Sequence, residues 1–183
     1  MLGIDWKKVF AQSFPERGAT QQELRDLVST ISMPLSETEI QAITASQRNP
    51  FPVTHPLHTA YKPFDPRQWR LPWRSLPLSY LDFLEWSNGG EFVQGARQFG
   101  FFSTAELRNF LLDYSVPRYM PGALPIAFDG GGCFYLFDMR NNPVDGEYPV
   151  LFAAAGNLDY SDAVPVAESF LEACTGTTDP SDN

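Results

Sequence analysis

The chain has 183 residues, is 43% apolar and carries a formal net charge of −9. That length and apolar content are enough for one buried core, so one domain is expected over residues 1–174, with a disordered tail at 175–183. No run of about 18 apolar residues occurs, and no membrane-spanning helix is predicted.

The charge is unevenly spread. Residues 1–75 carry nine Lys/Arg and seven Asp/Glu, whereas residues 76–183 carry four and fifteen. Phosphate binding needs clustered cations, so the acidic half argues against nucleic acid as a direct ligand. It suits a basic protein partner, or serves solubility alone. The opening MLGIDWKKVFAQ has Asp5, Lys7 and Lys8 among apolar residues and lacks the order of a secretory signal. Cys133 and Cys174 are too few for a disulfide scaffold and sit among apolar residues, so they read as reduced, packed thiols. A cytoplasmic setting is the expectation.

In chain order, Asp5 to Ala11 reads as a short helix with Trp6, Val9 and Phe10 on one face. Thr20 with Glu23 forms a capping box, and Leu24, Leu27, Val28 and Ile31 follow at helical spacing. Ser36 with Glu39 opens a second helix to about Gln47. Residues 1–48 thus form a helical part. Residues 49–74 form an arm of six prolines interleaved with Phe51, Tyr61, Phe64, Trp69 and Trp73, a density that prevents regular helix or central strand. Lys62, Arg67, Arg70 and Arg74 make it the one basic segment. It is either a packing arm with solvated charges or a binding loop facing acid on the body.

Residues 75–174 are the α+β core. Leu78 to Trp86 predicts a mostly apolar helix whose wet stripe is Ser79, Asp82 and Glu85, and Asn88-Gly89-Gly90 stops it. One or two short strands fall in Phe92 to Phe102, the second at Gln98–Phe102. A capping box at Ser103 and Glu106 then opens a helix through Leu107, Phe110, Leu111 and Tyr114. Pro117 to Gly122 reads as a loop. Leu124–Phe128 and Cys133–Asp138 form a hairpin across Asp129-Gly-Gly-Gly, Tyr148–Ala153 is a further strand, and Val164–Cys174 is a closing helix. The fold class is therefore α+β, an antiparallel or mixed sheet flanked by helices.

Candidate chemistry is sparse. His55 and His58 flank a proline in a loop, where nothing fixes two rings on a metal, so no metal site is predicted. No nucleophile elbow or Cys/His pairing is present, and no catalytic residue is assigned. Asp129 to Gly132 could cradle a phosphate if it opened a helix, but it leads into a strand pattern and reads as a hairpin turn. Asp82, Glu85 and Glu91 could do acid–base work only if burial split their pKa values, and solvated acids are the commoner case.

Taken together, Leu76-Pro77, Tyr80, Phe83-Leu84 and Asn88-Gly89-Gly90 are similar to the signature of the Smi/Knr family of the SUKH superfamily, the yeast cell-wall assembly regulators and their bacterial relatives. The later order resembles it too. A strand and Ser-x-x-Glu-Leu helix (Phe101 to Leu112) precede a Pro-Ile-x-Phe-Asp-Gly-Gly-Gly hairpin (Pro125 to Gly132), a strand ending in Asp138, and a Ser-Phe-Leu helix (Ser169 to Leu171). The resemblance spans Leu71 to Ala173. It implies an α+β fold, no enzymatic activity and no cofactor. It also implies a protein partner: bacterial members are regarded as immunity proteins that bind and neutralise toxins, often basic nucleases. The expected contact surface is Trp86, Asn88, Gly89, Gly90, Glu91, Asp129, Gly130 and Gly131. The alternatives are a regulatory module that docks a partner through the 49–74 arm, and a small-molecule-binding or hydrolytic protein using Asp129 to Gly132 and the carboxylates.

Overall fold

The computed structural model describes residues 3–182. Its centre is one antiparallel sheet in which every strand pairs with its neighbour in sequence, in the order β1 to β7. The strands are Gln12–Pro15 (β1), Gly90–Gln94 (β2), Arg97–Phe101 (β3), Ala123–Phe128 (β4), Cys133–Asp138 (β5), Val150–Ala154 (β6) and Val164–Ala167 (β7). The α-helices among the described residues are Gln21–Thr30 (α1), Glu37–Ser46 (α2), Leu78–Trp86 (α3), Leu107–Asp113 (α4), Val116–Tyr119 (α5) and Phe170–Thr175 (α6). This is an α+β fold, and its sheet is wholly antiparallel. No helix among the described residues is long and apolar enough to cross a membrane.

The two sheet faces are covered differently. One face meets α3, α6 and the 3-10 turn Trp6–Lys8. There Phe83 of α3 places its ring centre 5.3 Å from Trp6, 5.5 Å from Phe92, 4.6 Å from Phe101 and 5.5 Å from Phe170. On the other face, α4 covers the β4–β5 end. Tyr114 stands 4.8 Å from Phe134, and Phe110 lies 3.9 Å from Phe102. Central strands buried on both faces read as unbroken apolar runs, as LPIAF and CFYLF do.

Residues 16–19 close the C-terminal end of α3. The Ala19 amide donates to Leu84 O at 2.8 Å, and the Asn88 amide donates to Arg17 O at 3.0 Å. The Glu16 amide donates to Ser87 Oγ at 2.9 Å. The first of these satisfies a carbonyl that the helix end leaves orphaned. Gly18 passes so close that a Cβ there would stand 2.0 Å from Glu85 O. The first two capping boxes form as expected at Thr20/Glu23 and Ser36/Glu39. Arg108 of α4 then ties this segment to the body, donating to Glu39 Oε1 at 2.8 Å and to Thr30 O at 2.6 Å.

Several local expectations need correction. Gln12–Pro15, expected only as part of the helical stretch 1–48, is the edge strand β1, because its main chain pairs along Gly90 to Val93. The expected closing helix Val164–Cys174 is strand β7 followed by α6, which starts only at the Ser169 cap. The expected loop at Pro117 holds α5, whose entry bends through Ser115 at a φ of 52°. The expected helix at Asp5 to Ala11 is a single 3-10 turn.

The wet stripe on α3 is also shifted. Ser79 is buried because its hydroxyl bonds Glu147, which also accepts from the Phe170 amide. Leu78 is instead 65% exposed, over a cleft of about 490 Å³ between α1 and α3. The expected tail is folded through Asp182. Arg97 is buried and donates to Ala173 O and Thr178 O at 2.8 Å each, and Pro180 is buried.

The 49–74 arm contains only the 3-10 turn Pro66–Gln68. Gln47 holds it by two bonds to the Phe64 main chain, at 2.8 and 2.7 Å. Its Arg67 pairs with Glu37, and Arg74 donates to Met139 O at 3.0 Å. Four of its five aromatics are half-buried, while Trp73 is 67% exposed.

Phe83→Ala should cost about 3–5 kcal/mol, because it removes a ring at the centre of a close-packed cluster; urea denaturation checks this, and a loss under about 1 kcal/mol would contradict the packing described. The hydrogen bonds from Arg108, helped by Ser36 and opposed by partial burial, hold Glu39 down to about 2. A depressed carboxylate stabilises the fold above its unfolded pKa, and the contribution fades as pH falls from about 4.5 towards 2. Glu39→Gln should therefore lower stability by about 1 kcal/mol near neutral pH, after solvent screening. The gap between wild type and variant should close near pH 2; a pH-independent gap would contradict the assignment.

Candidate functional site

The bare part of the second sheet face is the candidate site. Residues paired across an antiparallel ladder share a face. Phe14, Glu91, Gly100 and Phe128 are joined in that way, strand to strand. They lie opposite Phe92, Phe99 and Phe101, which are buried in the core. The helices α4 and α5 are too short to reach across, so the β1–β3 end stays uncovered. The result is a groove of about 580 Å³, bounded by β1, by the start of α4 and by the β4–β5 turn.

The ladder beneath the groove is short. β3 meets β4 only at Gly100 with Phe128 and at Phe101 with Ala127. Further along β4, the β4–β5 register shifts between Pro125 and Ala127. Proline cannot donate to a ladder and is confined to edges and irregularities of this kind.

Six of the eight residues expected from the sequence border this groove: Asn88, Gly89, Gly90, Glu91, Asp129 and Gly130. Their parts differ. Asn88 is buried, and its Oδ1 accepts from the Thr104 amide at 2.7 Å, so it braces the wall. Gly89 and Gly90 take φ values of 101° and 109°, which a side chain rarely adopts. Asp129 Oδ1 accepts from the Gly131 and Cys133 amides at 2.7 and 2.8 Å and so shapes the turn. Glu91 is exposed.

The other two residues lie elsewhere. Gly131 lines an adjoining hollow of about 290 Å³ with Asp179 and Pro180. Trp86 sits across the sheet, packed on Phe83 and Phe92, beside a depression formed with Ile4 to Lys7.

Among the groove residues outside the expected set are Phe14, Glu16, Glu106 and Phe128. Phe14 and Glu16 were missed because β1 was not foreseen. Glu106 was seen only as a cap, and it does accept from the Ser103 amide at 2.9 Å. Phe128 was assigned to a buried strand, yet it is only half-buried. The described lining carries the carboxylates Glu16, Glu91, Glu106 and Asp129 and no Lys, Arg or His. Aromatic surface comes from Phe128, Phe110 and Phe14, the last 65% exposed.

No reactive group stands out. Burial, then the carboxylates of Asp129 and Asp179, push the Cys133 thiol up. Burial pushes Cys174 up further. Both thiols are therefore poor nucleophiles. His55 Nδ1 accepts from the Leu57 amide at 3.1 Å, and His58 Nδ1 stands 2.7 Å from Phe51 O, so both rings serve their own loop. Among the described residues, no group of three or more His, Cys, Asp or Glu is placed to hold a metal ion.

Residues 70–173 match the model of the SMI1 / KNR4 family (SUKH-1). The chain belongs to this family. The match takes in α3, the sheet from β2 to β7, and the hairpin at Asp129. It leaves out β1, α1, α2 and nearly all of the 49–74 arm, so Phe14 and Glu16 reach the groove of this SUKH domain from outside the matched region. A comparison with curated proteins finds no match to the chain.

Proposed function

We propose that this SUKH domain is a non-enzymatic binding protein of the immunity type, which neutralises a basic toxin domain by docking it in the groove on the open sheet face. The observation that supports this reading is the groove's lining: carboxylates, exposed Phe14 and half-buried Phe110 and Phe128, with no cation in the described lining. A nuclease toxin binds phosphate through clustered cations, and an acidic groove competes for those same cations. Opposed charge steers encounter and selects partners, while aromatic surface supplies the contact area. Family membership supports a protein partner of this kind, and the cytoplasm of the producing cell is where such protection would act.

The test is affinity capture from the source cells and their medium, with wild type beside the double variant Glu91→Lys/Glu106→Lys. The expected result is one basic toxin domain, held at least about tenfold more weakly by the variant, with wild type restoring growth to cells that express the toxin. A partner whose affinity ignores both charge reversals would contradict the reading.

A further inference from the structure

Gly100 occupies the interior of β3. Glycine weakens a strand there, through backbone entropy and the lack of a side chain to pack. Nothing in the fold calls for it. Its φ lies outside the left-handed region, and an added Cβ would meet only Phe128 O, at an ordinary 3.7 Å. Gly90, by contrast, has positive φ, and a Cβ there would stand 2.6 Å from Phe14 O. Phe99 and Phe101, on either side of Gly100 in sequence, are buried in the core, so the missing side chain of Gly100 faces the groove. Glu91 pairs with it from β2 and Phe128 from β4. Directly paired residues hold their Cβ positions about 5 Å apart. The floor is thus bare between a carboxylate and an aromatic ring.

We infer that Gly100 is a specificity-determining residue, kept bare to admit an arginine side chain of the protein partner. The inference deepens the acidic-groove reading and rests on it. The apolar stem of an arginine lies over the β3 backbone, against the Phe128 ring. Its guanidinium then reaches Glu91, where a planar fork matches a carboxylate. Exposed Phe14, on the far side of Glu91, offers a ring face to the same cation. Lysine lacks both the fork and the stacking plane, so arginine is favoured.

The experiment is a titration of the full chain by amide NMR with acetyl-Gly-Arg-Gly-amide, using the neutral citrulline peptide as control. Wild type should show saturable shifts at Gly100, Glu91 and Phe128, at least about tenfold weaker with citrulline. Gly100→Leu should abolish these shifts without lowering the melting temperature. Gly100→Ala, whose methyl makes only an ordinary contact, should weaken them and serves if the leucine variant does not fold. Unchanged binding by the folded Gly100 variants, with the shifts still lost in Glu91→Gln, would overturn the role of Gly100 and leave the acidic groove standing. Shifts scattered over the acidic surface, or none in the groove, would overturn both.

Discussion

The burial of Phe83 against the sheet is the contact on which the rest depends. Its ring touches α6, β2, β3 and the Trp6 turn together, so four segments distant in sequence share one neighbour. Aromatic rings at these separations add specific edge contacts to simple burial. The Trp6 indole N–H also donates to Asp82 on α3, at 3.1 Å. With α3 fixed from both sides, its C-terminal end presents Ser87 and Asn88 to residues 16–19, and the next stretch of chain begins β2. One packed ring therefore sets where the edge of the sheet begins.

The groove follows from how the opposite face is covered. The β3–β4 connection must carry α4 and α5 across the sheet, and these helices lie over β4 and β5, where Phe128 stacks on Phe134 and Tyr114 meets Phe134 edge-on. Among the described residues, nothing comparable crosses this face of β1 to β3. The Smi/Knr core thus leaves part of its sheet open, and the preceding segment adds a strand and one wall to that opening. Charge in the second half is tied up unevenly. Arg97 is buried on carbonyls, Arg108 pairs with Glu39 and Arg140 with Asp138. The acids around the groove face no such neighbours among its described lining.

Much of this fold was legible because its signals are local. The Thr20/Glu23 and Ser36/Glu39 boxes, the glycine stop after α3 and the apolar runs of β4 and β5 each follow from a few adjacent residues. Where long-range pairing decides, the sequence was silent. Gln-Ser-Phe-Pro has little strand character and becomes β1 only because β2 offers it a ladder. Val164 to Ala167 has the spacing of either element, and the free edge of β6 makes it a strand. Arg97 looks like a surface cation until the end of the chain folds over it. The same limit applied to the site. Asn88 to Gly90 and Asp129-Gly130 stand out as motifs, and the sheet brings them together with Glu91. Phe14, Glu16 and Gly100 carry no motif, and Trp86, expected at the contact surface, packs on the other face.

The most direct test of the central claim is amide hydrogen exchange on the chain alone and in complex with its captured partner. New protection is expected at Gly89 to Glu91, Gln98 to Phe101 and Asp129 to Gly131, with the α1–α3 cleft unchanged. Protection confined to Val28, Leu78 and Leu81, or to the 49–74 arm, would contradict it and place the partner elsewhere.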